Sequence, residues 1–228
     1  MSSLPHTHEV FTSKKKPKNP IKFKITLNEE QKEAKRTILN NPVTVLKGSA
    51  GSGKTLCAVQ TGLDLLFSKD VDKIIITRPT VSKEEIGFLP GDIKDKMDPW
   101  LAPIYHNLQI VYHKQKIEKE LHEERIEILP FAFIRGRTFV NSFVIVDEGQ
   151  NVTHTQMEAI LGRLGQGSKM VICGDMSQID LRDKRQTGFS FLQRVEENVP
   201  GFKMFTLKHN HRHEIVGPIL DTYQMFRD

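Results

Sequence analysis

The sequence predicts an α/β fold in which a mostly parallel sheet carries helices on both faces, as a single lobe. Three observations predict it. Short β-branched runs alternate with helical periodicity along the 228 residues. The run Val43–Lys47 passes directly into Gly48-Ser49-Ala50-Gly51-Ser52-Gly53-Lys54-Thr55, a glycine, four residues and Gly-Lys-Thr, which is the phosphate-loop pattern. The remaining chemistry-bearing residues follow apolar runs: Arg78-Pro79 after Lys73–Thr77, Asp147-Glu148 after Phe143–Val146, and Gly174-Asp175 after Lys169–Cys173. Strand carboxyl ends are where ligands collect in open α/β sheets.

Taken in order, residues 1–22 are polar, proline-punctuated and basic (Lys14-Lys15-Lys16-Pro17-Lys18) and are expected to form a disordered arm ahead of a domain at 23–228. Val43–Lys47 is the first strand. A helix over 54–67 follows, with Ala58, Val59, Gly62, Leu63 and Leu66 on one face. Lys73–Thr77 is the second strand. The segment 80–125 is mixed, with turn chemistry at Pro90-Gly91 and helices expected on either side of Pro103. Ile126–Leu129 and Phe143–Val146 are strands, the latter continuous in the manner of a strand buried on both faces. Thr153-x-x-Gln156 is a capping box, the stripe Met157, Ile160, Leu161 and Leu164 continues the helix, and Gly165 is expected to end it.

Bulk properties narrow the class. Hydrophobic residues make up 38% and charged residues 27%, as in a soluble globular protein. No apolar run reaches membrane-spanning length and the start lacks a secretory core, so a cytoplasmic location without membrane partners is expected. The net charge of +5 is compatible with a polyanionic partner without requiring one. The two cysteines, Cys57 and Cys173, lie in apolar stretches without Cys-x-x-Cys spacing and read as buried thiols. His209-x-His211-x-His213 alternates without companion cysteines or acids, so no zinc site is expected.

The phosphate loop works because its glycines let backbone amides curl round phosphate oxygens at a helix N-terminus. Gly48 through Thr55 would supply that cradle, Lys54 a charge near the β- and γ-phosphates, and the Thr55 hydroxyl a magnesium ligand. Asp147 would hold the same Mg2+, and Glu148 would polarise an attacking water. A second adjacent acid favours transfer to water over transfer to a substrate hydroxyl. In Gly174-Asp175-x-x-Gln178, Gln178 is placed to touch both the γ-phosphate and that water. Asp-Glu-x-Gln followed by Gly-Asp-x-x-Gln is the order found in superfamily 1 helicases, which this chain resembles. Leu27-Asn28-Glu29-Glu30-Gln31 is similar to their glutamine motif, which implies that Gln31 reads adenine and that the cofactor is ATP.

Thr77-Arg78-Pro79, Gly87-Phe-Leu-Pro-Gly91-Asp92, Lys96-Met-Asp98-Pro99, Arg135-Gly136-Arg137-Thr138, Gln178-Ile-Asp180-Leu181 and Arg212-His213 resemble the PhoH-like ATPase family more closely, over about 27–223. The chain departs from that pattern at Ser82-Lys83-Glu84, at Gly149 where alanine is usual, and at Arg182 where proline is expected. The resemblance implies a RecA-like core, ATPase activity with possible helicase action, and a link to single-stranded RNA or another nucleic acid. Two-lobed helicases donate an arginine to the γ-phosphate from the second lobe. With one lobe, that arginine would come from a neighbour in a ring, a hexamer by resemblance, with Arg163 and Arg212 as the candidates and Arg137 a third. A second reading is a nucleotide-gated assembly or binding protein whose slow hydrolysis times partner release without unwinding.

Overall fold

The computed structural model describes residues 21–79, 93–134 and 136–226, with the side chains of 93–101, 221 and 224 left aside. Residues 1–20 of the expected arm, the turn at Pro90-Gly91, the Gly87–Asp92 piece, Ser82–Glu84 and Arg135 lie outside the described residues.

The strands are β1 (Val43–Gly48), β2 (Lys73–Arg78), β3 (Ile126–Pro130), β4 (Ser142–Val146), β5 (Lys169–Gly174) and β6 (Phe202–Leu207). They form one sheet in the order β3-β2-β4-β5-β1-β6, and every adjacent pair is parallel. Parallel strands need crossovers, and the helices supply them: α1 (Glu29–Asn40), α2 (Lys54–Phe67), α3 (Ile93–Val111), α4 (Lys114–His122), α5 (His154–Leu161), α6 (Leu192–Asn198) and α7 (Val216–Met225).

Burial explains the sequence pattern. β4 and β5 sit centrally and all their residues are buried, whereas β6 forms an edge and is buried only at Phe202 and Leu207, with Lys203 and Thr206 exposed. One apolar cluster joins α1, α2, α3 and α4 to one face of the sheet through Ala34, Ile38, Leu63, Leu66, Ile104, Leu108 and Ile117. The opposite face is covered through Met157, Ile160, Phe189 and Leu192, packed on Val144, Val146, Met170 and Ile172. Both cysteines are fully buried, and burial pushes the Cys57 thiol up to about 12, so it is inert packing material.

Two local expectations need correction. Helix α3 runs unbroken through Pro99 and Pro103 instead of splitting at Pro103. A proline removes one hydrogen bond, and here the burial of Ile104, Leu108 and Val111 on the sheet side offsets that loss. Helix α5 ends at Leu161 with Gly162 as its cap, not at Gly165. Gly165 instead bonds from its amide to the Phe139 carbonyl at 2.7 Å, bringing the chain back beside β4. Arg163 therefore lies beyond the helix and not on it.

At the other end of the chain, α7 shows solvent a run of apolar side chains: Ile219, Leu220 and Tyr223 are exposed, as are the flanking Ile215 and Phe226.

Candidate functional site

The strand carboxyl ends open onto a cleft of about 600 Å³ lined by the loop after β1, the ends of β4 and β5, the start of α1 and the segment after β6. The loop is built by backbone geometry. Gly53 stands at φ 82, and a Cβ there would come within 2.4 Å of Gln31 Nε2, so only glycine both turns the chain and admits α1 against it. Lys54 folds back over the loop, donating to the Gly48 carbonyl at 2.8 Å and the Ser49 carbonyl at 3.0 Å. The Ser52 amide bonds to Ser49 O at 3.2 Å, and the Ser52 side chain is buried. Ala50, Gly51, Gly53, Lys54 and Thr55 face the cleft.

β4 delivers the acids. The Thr55 hydroxyl donates to Asp147 Oδ1 at 2.7 Å, joining two motifs 92 residues apart. Burial holds the Asp147 carboxyl above the usual range, the neighbouring charge of Glu148 adds to this, and the Thr55 hydroxyl and Arg78 pull it back. Immediately after the strand, Glu148 adopts a left-handed backbone, φ 52, so the chain turns sharply and the acid projects into the cleft. Arg78 Nη2 lies 3.6 Å from Glu148 Oε1, and Gln150 Nε2 donates to Glu148 Oε2 at 2.6 Å.

Gln150 is the residue that sequence reasoning underrated. Fully buried, it donates to Glu148 and to the Gln178 carbonyl at 3.1 Å, and accepts from the Asp175 amide at 3.0 Å. Its own carbonyl accepts from the Thr187 hydroxyl at 2.7 Å. Asn151 does similar work, accepting from the Asp180 amide at 2.7 Å. These bonds fix the turn after β5, where Asp175 and the exposed Gln178 line the cleft. The signal was present as the second half of Asp-Glu-x-Gln, but its partners lie 25 to 37 residues downstream.

Gln31 sits at the opposite wall. It belongs to a capping box: its backbone amide donates to Asn28 Oδ1 at 2.8 Å, and its Oε1 accepts from the Asn28 amide at 3.1 Å. The side chain is buried and its Nε2 reaches Ser52 O at 3.4 Å.

The arginines separate. Arg212 lines the cleft of its own chain, with its side chain beside Gly51. Arg163 is not among the residues that line it; its carbonyl accepts from the Phe139 amide at 2.9 Å. Arg137 is paired with Glu127 at 2.8 Å. Among the described residues, no group of three or more His, Cys, Asp or Glu side chains could hold a metal ion alone, and no helix is long and apolar enough to cross a membrane.

Comparison with known proteins agrees with this geometry. The chain is 39% identical to a PhoH-like protein of Synechocystis over 197 residues, covering 85% of this chain and 60% of that one. It is 40% identical to a PhoH-like protein of Bacillus subtilis over 196 residues, with 85% and 61% covered. The chain thus spans about 60% of the length of these relatives. Among solved structures, the large terminase of a thermophilic bacteriophage superposes with a TM-score of 0.51 at 10% identity, over 89% of this chain and 51% of that one, a likeness of fold. The fold is an all-parallel, six-stranded α/β core with a phosphate loop after its first strand. The family model described as PhoH-like protein matches residues 24–224, and the chain belongs to that family.

Proposed function

We propose that this chain binds ATP with magnesium and hydrolyses it, with single-stranded RNA as the polymer that couples to turnover. The observation that carries the reading is the convergence of Thr55, Asp147 and Glu148 beside the phosphate loop, with the Thr55 hydroxyl 2.7 Å from Asp147. Lys54 is tethered to two loop carbonyls and is placed to exchange them for phosphate oxygens. Glu148 is oriented by Gln150 and Arg78, so its carboxylate is held ready to polarise a water facing the γ-phosphate. Gln178 stands on the same wall and would complete contact with that phosphate.

Thr55 and Asp147 fit a magnesium ion. Both offer hard oxygens, few in number, as suits a cation that keeps waters and takes the rest of its ligands from phosphates. Asp147, held above its usual range by burial and by Glu148, is a carboxylate that a nearby cation would favour in its charged form. When bound, the ion would neutralise charge on the phosphates.

The RNA reading rests on the family resemblance and the net charge of +5. Phosphate release from ATP, measured with RNA, with DNA and with no polymer, tests it. Release should rise with RNA, and Glu148→Gln should abolish turnover while ATP still binds. Turnover at the wild-type rate in that variant would remove Glu148 from its role.

The exposed apolar run on α7 favours a second reading, assembly of the chain into a homo-oligomeric ring gated by nucleotide. A shift in solution size with ATP, and hydrolysis indifferent to RNA, would support it.

A further inference from the structure

The segment after β6 is a strap laid across the phosphate loop. The Lys208 and His209 amides donate to the Glu30 carboxylate at 2.8 and 3.0 Å, and the His211 amide donates to the Gly51 carbonyl at 3.1 Å. These bonds fix where the His211 ring lies. Its Nε2 is 3.2 Å from Gln31 Nε2 and 3.2 Å from Asn28 Nδ2.

The orientation of both carboxamides is determined by the helix cap. Gln31 Oε1 must face the Asn28 amide, and Asn28 Oδ1 must face the Gln31 amide, because a backbone N–H can only donate. Each side chain is therefore left presenting its NH2 group to the imidazole. Two donors converging on one ring nitrogen require that nitrogen to be the acceptor, with the ring proton on Nδ1. The cleft wall accordingly offers an imidazole lone pair with amide N–H groups beside it. Both 3.2 Å contacts are at the long end of the range, so a ligand N–H can displace either.

Resting on the reading of the cleft as a nucleotide site, we propose that His211 is the specificity-determining residue for the base, selecting purines that carry an amino group at position 6 over those that carry an oxo group there. Gln31 has its oxygen committed to the cap, so acceptance of the amino proton falls to His211 Nε2, and a carboxamide N–H of Asn28 or Gln31 donates to the adjacent ring nitrogen. At the same position, guanine sets an oxygen lone pair against the imidazole lone pair, and the amide donors alone cannot satisfy the mismatch. Asn28, Gln31, Gly51, Gly53, His211 and Arg212 all line the one cleft, which places this wall within a nucleotide's length of Lys54.

The test is competitive binding to Glu148→Gln protein, which consumes nothing, using ATP, GTP, purine riboside triphosphate (no group at position 6) and inorganic tripolyphosphate. ATP should bind about three- to tenfold more tightly than purine riboside triphosphate, as for one hydrogen bond, and GTP more weakly still. His211→Ala should erase the ATP preference while leaving tripolyphosphate affinity unchanged. An unaltered ATP-to-GTP ratio in that variant overturns the inference. So does equal affinity of the His211-bearing protein for ATP and purine riboside triphosphate, a comparison that needs no folded His211 variant. If neither ATP nor tripolyphosphate binds, the nucleotide reading itself fails, an outcome distinct from binding without discrimination.

Discussion

Gln150 Nε2 lies 2.6 Å from Glu148 Oε2, so the residue expected to activate water is aimed by a buried carboxamide and not by its own backbone alone. The same carboxamide accepts from the Asp175 amide. The turns after β4 and β5 are thereby locked into one unit.

Removing that carboxamide separates aim from binding. Gln150→Ala leaves a buried Asp175 amide without its acceptor, which should cost about 1–3 kcal/mol in denaturant unfolding. Turnover should fall about 10- to 100-fold through misplacement of Glu148, with ATP affinity largely retained. An unchanged kcat in a stable Gln150→Ala protein would show that Glu148 needs no such support.

Gly149 stands where the family pattern has alanine, yet alanine does not fit this packing. A Cβ at Gly149 would lie 2.6 Å from Ile172 Cγ2 and 3.2 Å from the Cys173 carbonyl. Gly149→Ala should destabilise the chain by about 1–3 kcal/mol, the usual cost of overpacking a core. Pairing it with Ile172→Val, which trims that side chain, should restore part of the loss, as a double-mutant cycle would show.

The placement of Arg212 gives a test by subunit mixing. Because Arg212 lines the cleft of its own chain, Arg212→Ala and Glu148→Gln proteins, each impaired, should stay impaired when mixed. Recovery of phosphate release on mixing would mean that Arg212 serves a neighbour's site, which contains an intact Glu148.

Lys169 predicts how stability follows pH. Its ammonium donates to the Leu39 and Asn41 carbonyls at 2.8 and 3.1 Å, closing the end of α1, and burial pushes it down to about 8 from an ordinary 10.5. The unfolded chain therefore holds this proton more tightly than the folded one. Folding bears the full penalty below about pH 8, and it is relieved as pH rises from about 8 towards 10.5. Relative to Lys169→Met, the unsubstituted protein should gain on the order of 1–3 kcal/mol across that window, read from denaturant midpoints at successive pH values.

How far the sequence could be read followed the range of the interactions. The β1–loop–α2 unit and the Thr153–Gln156 cap were legible because their determinants lie within a few residues of one another. Strand β4 was legible because burial on both faces leaves an unbroken apolar run. Helix α3 was misread at Pro103, where tertiary burial overrides a local breaker. The end of α5 was misread because Gly162 and Gly165 are equal as letters and only one of them meets Phe139. Strand β6 was not found at all, since an edge strand with exposed Lys203 and Thr206 carries little apolar signal. At the site, the phosphate loop and the acids carry local motifs, while the contacts of Gln150 and His211 depend on partners 25 to 183 residues away.

The strap has a practical corollary. It joins an edge strand that pairs with β1 along its whole length to a helix whose Tyr223 stands largely in water. Tyr223 lies past Arg212 in the chain yet outside the cleft lining. A fluorophore installed at that position would be held in solvent by the same chain segment that crosses the phosphate loop, yet would replace none of the groups that line the cleft.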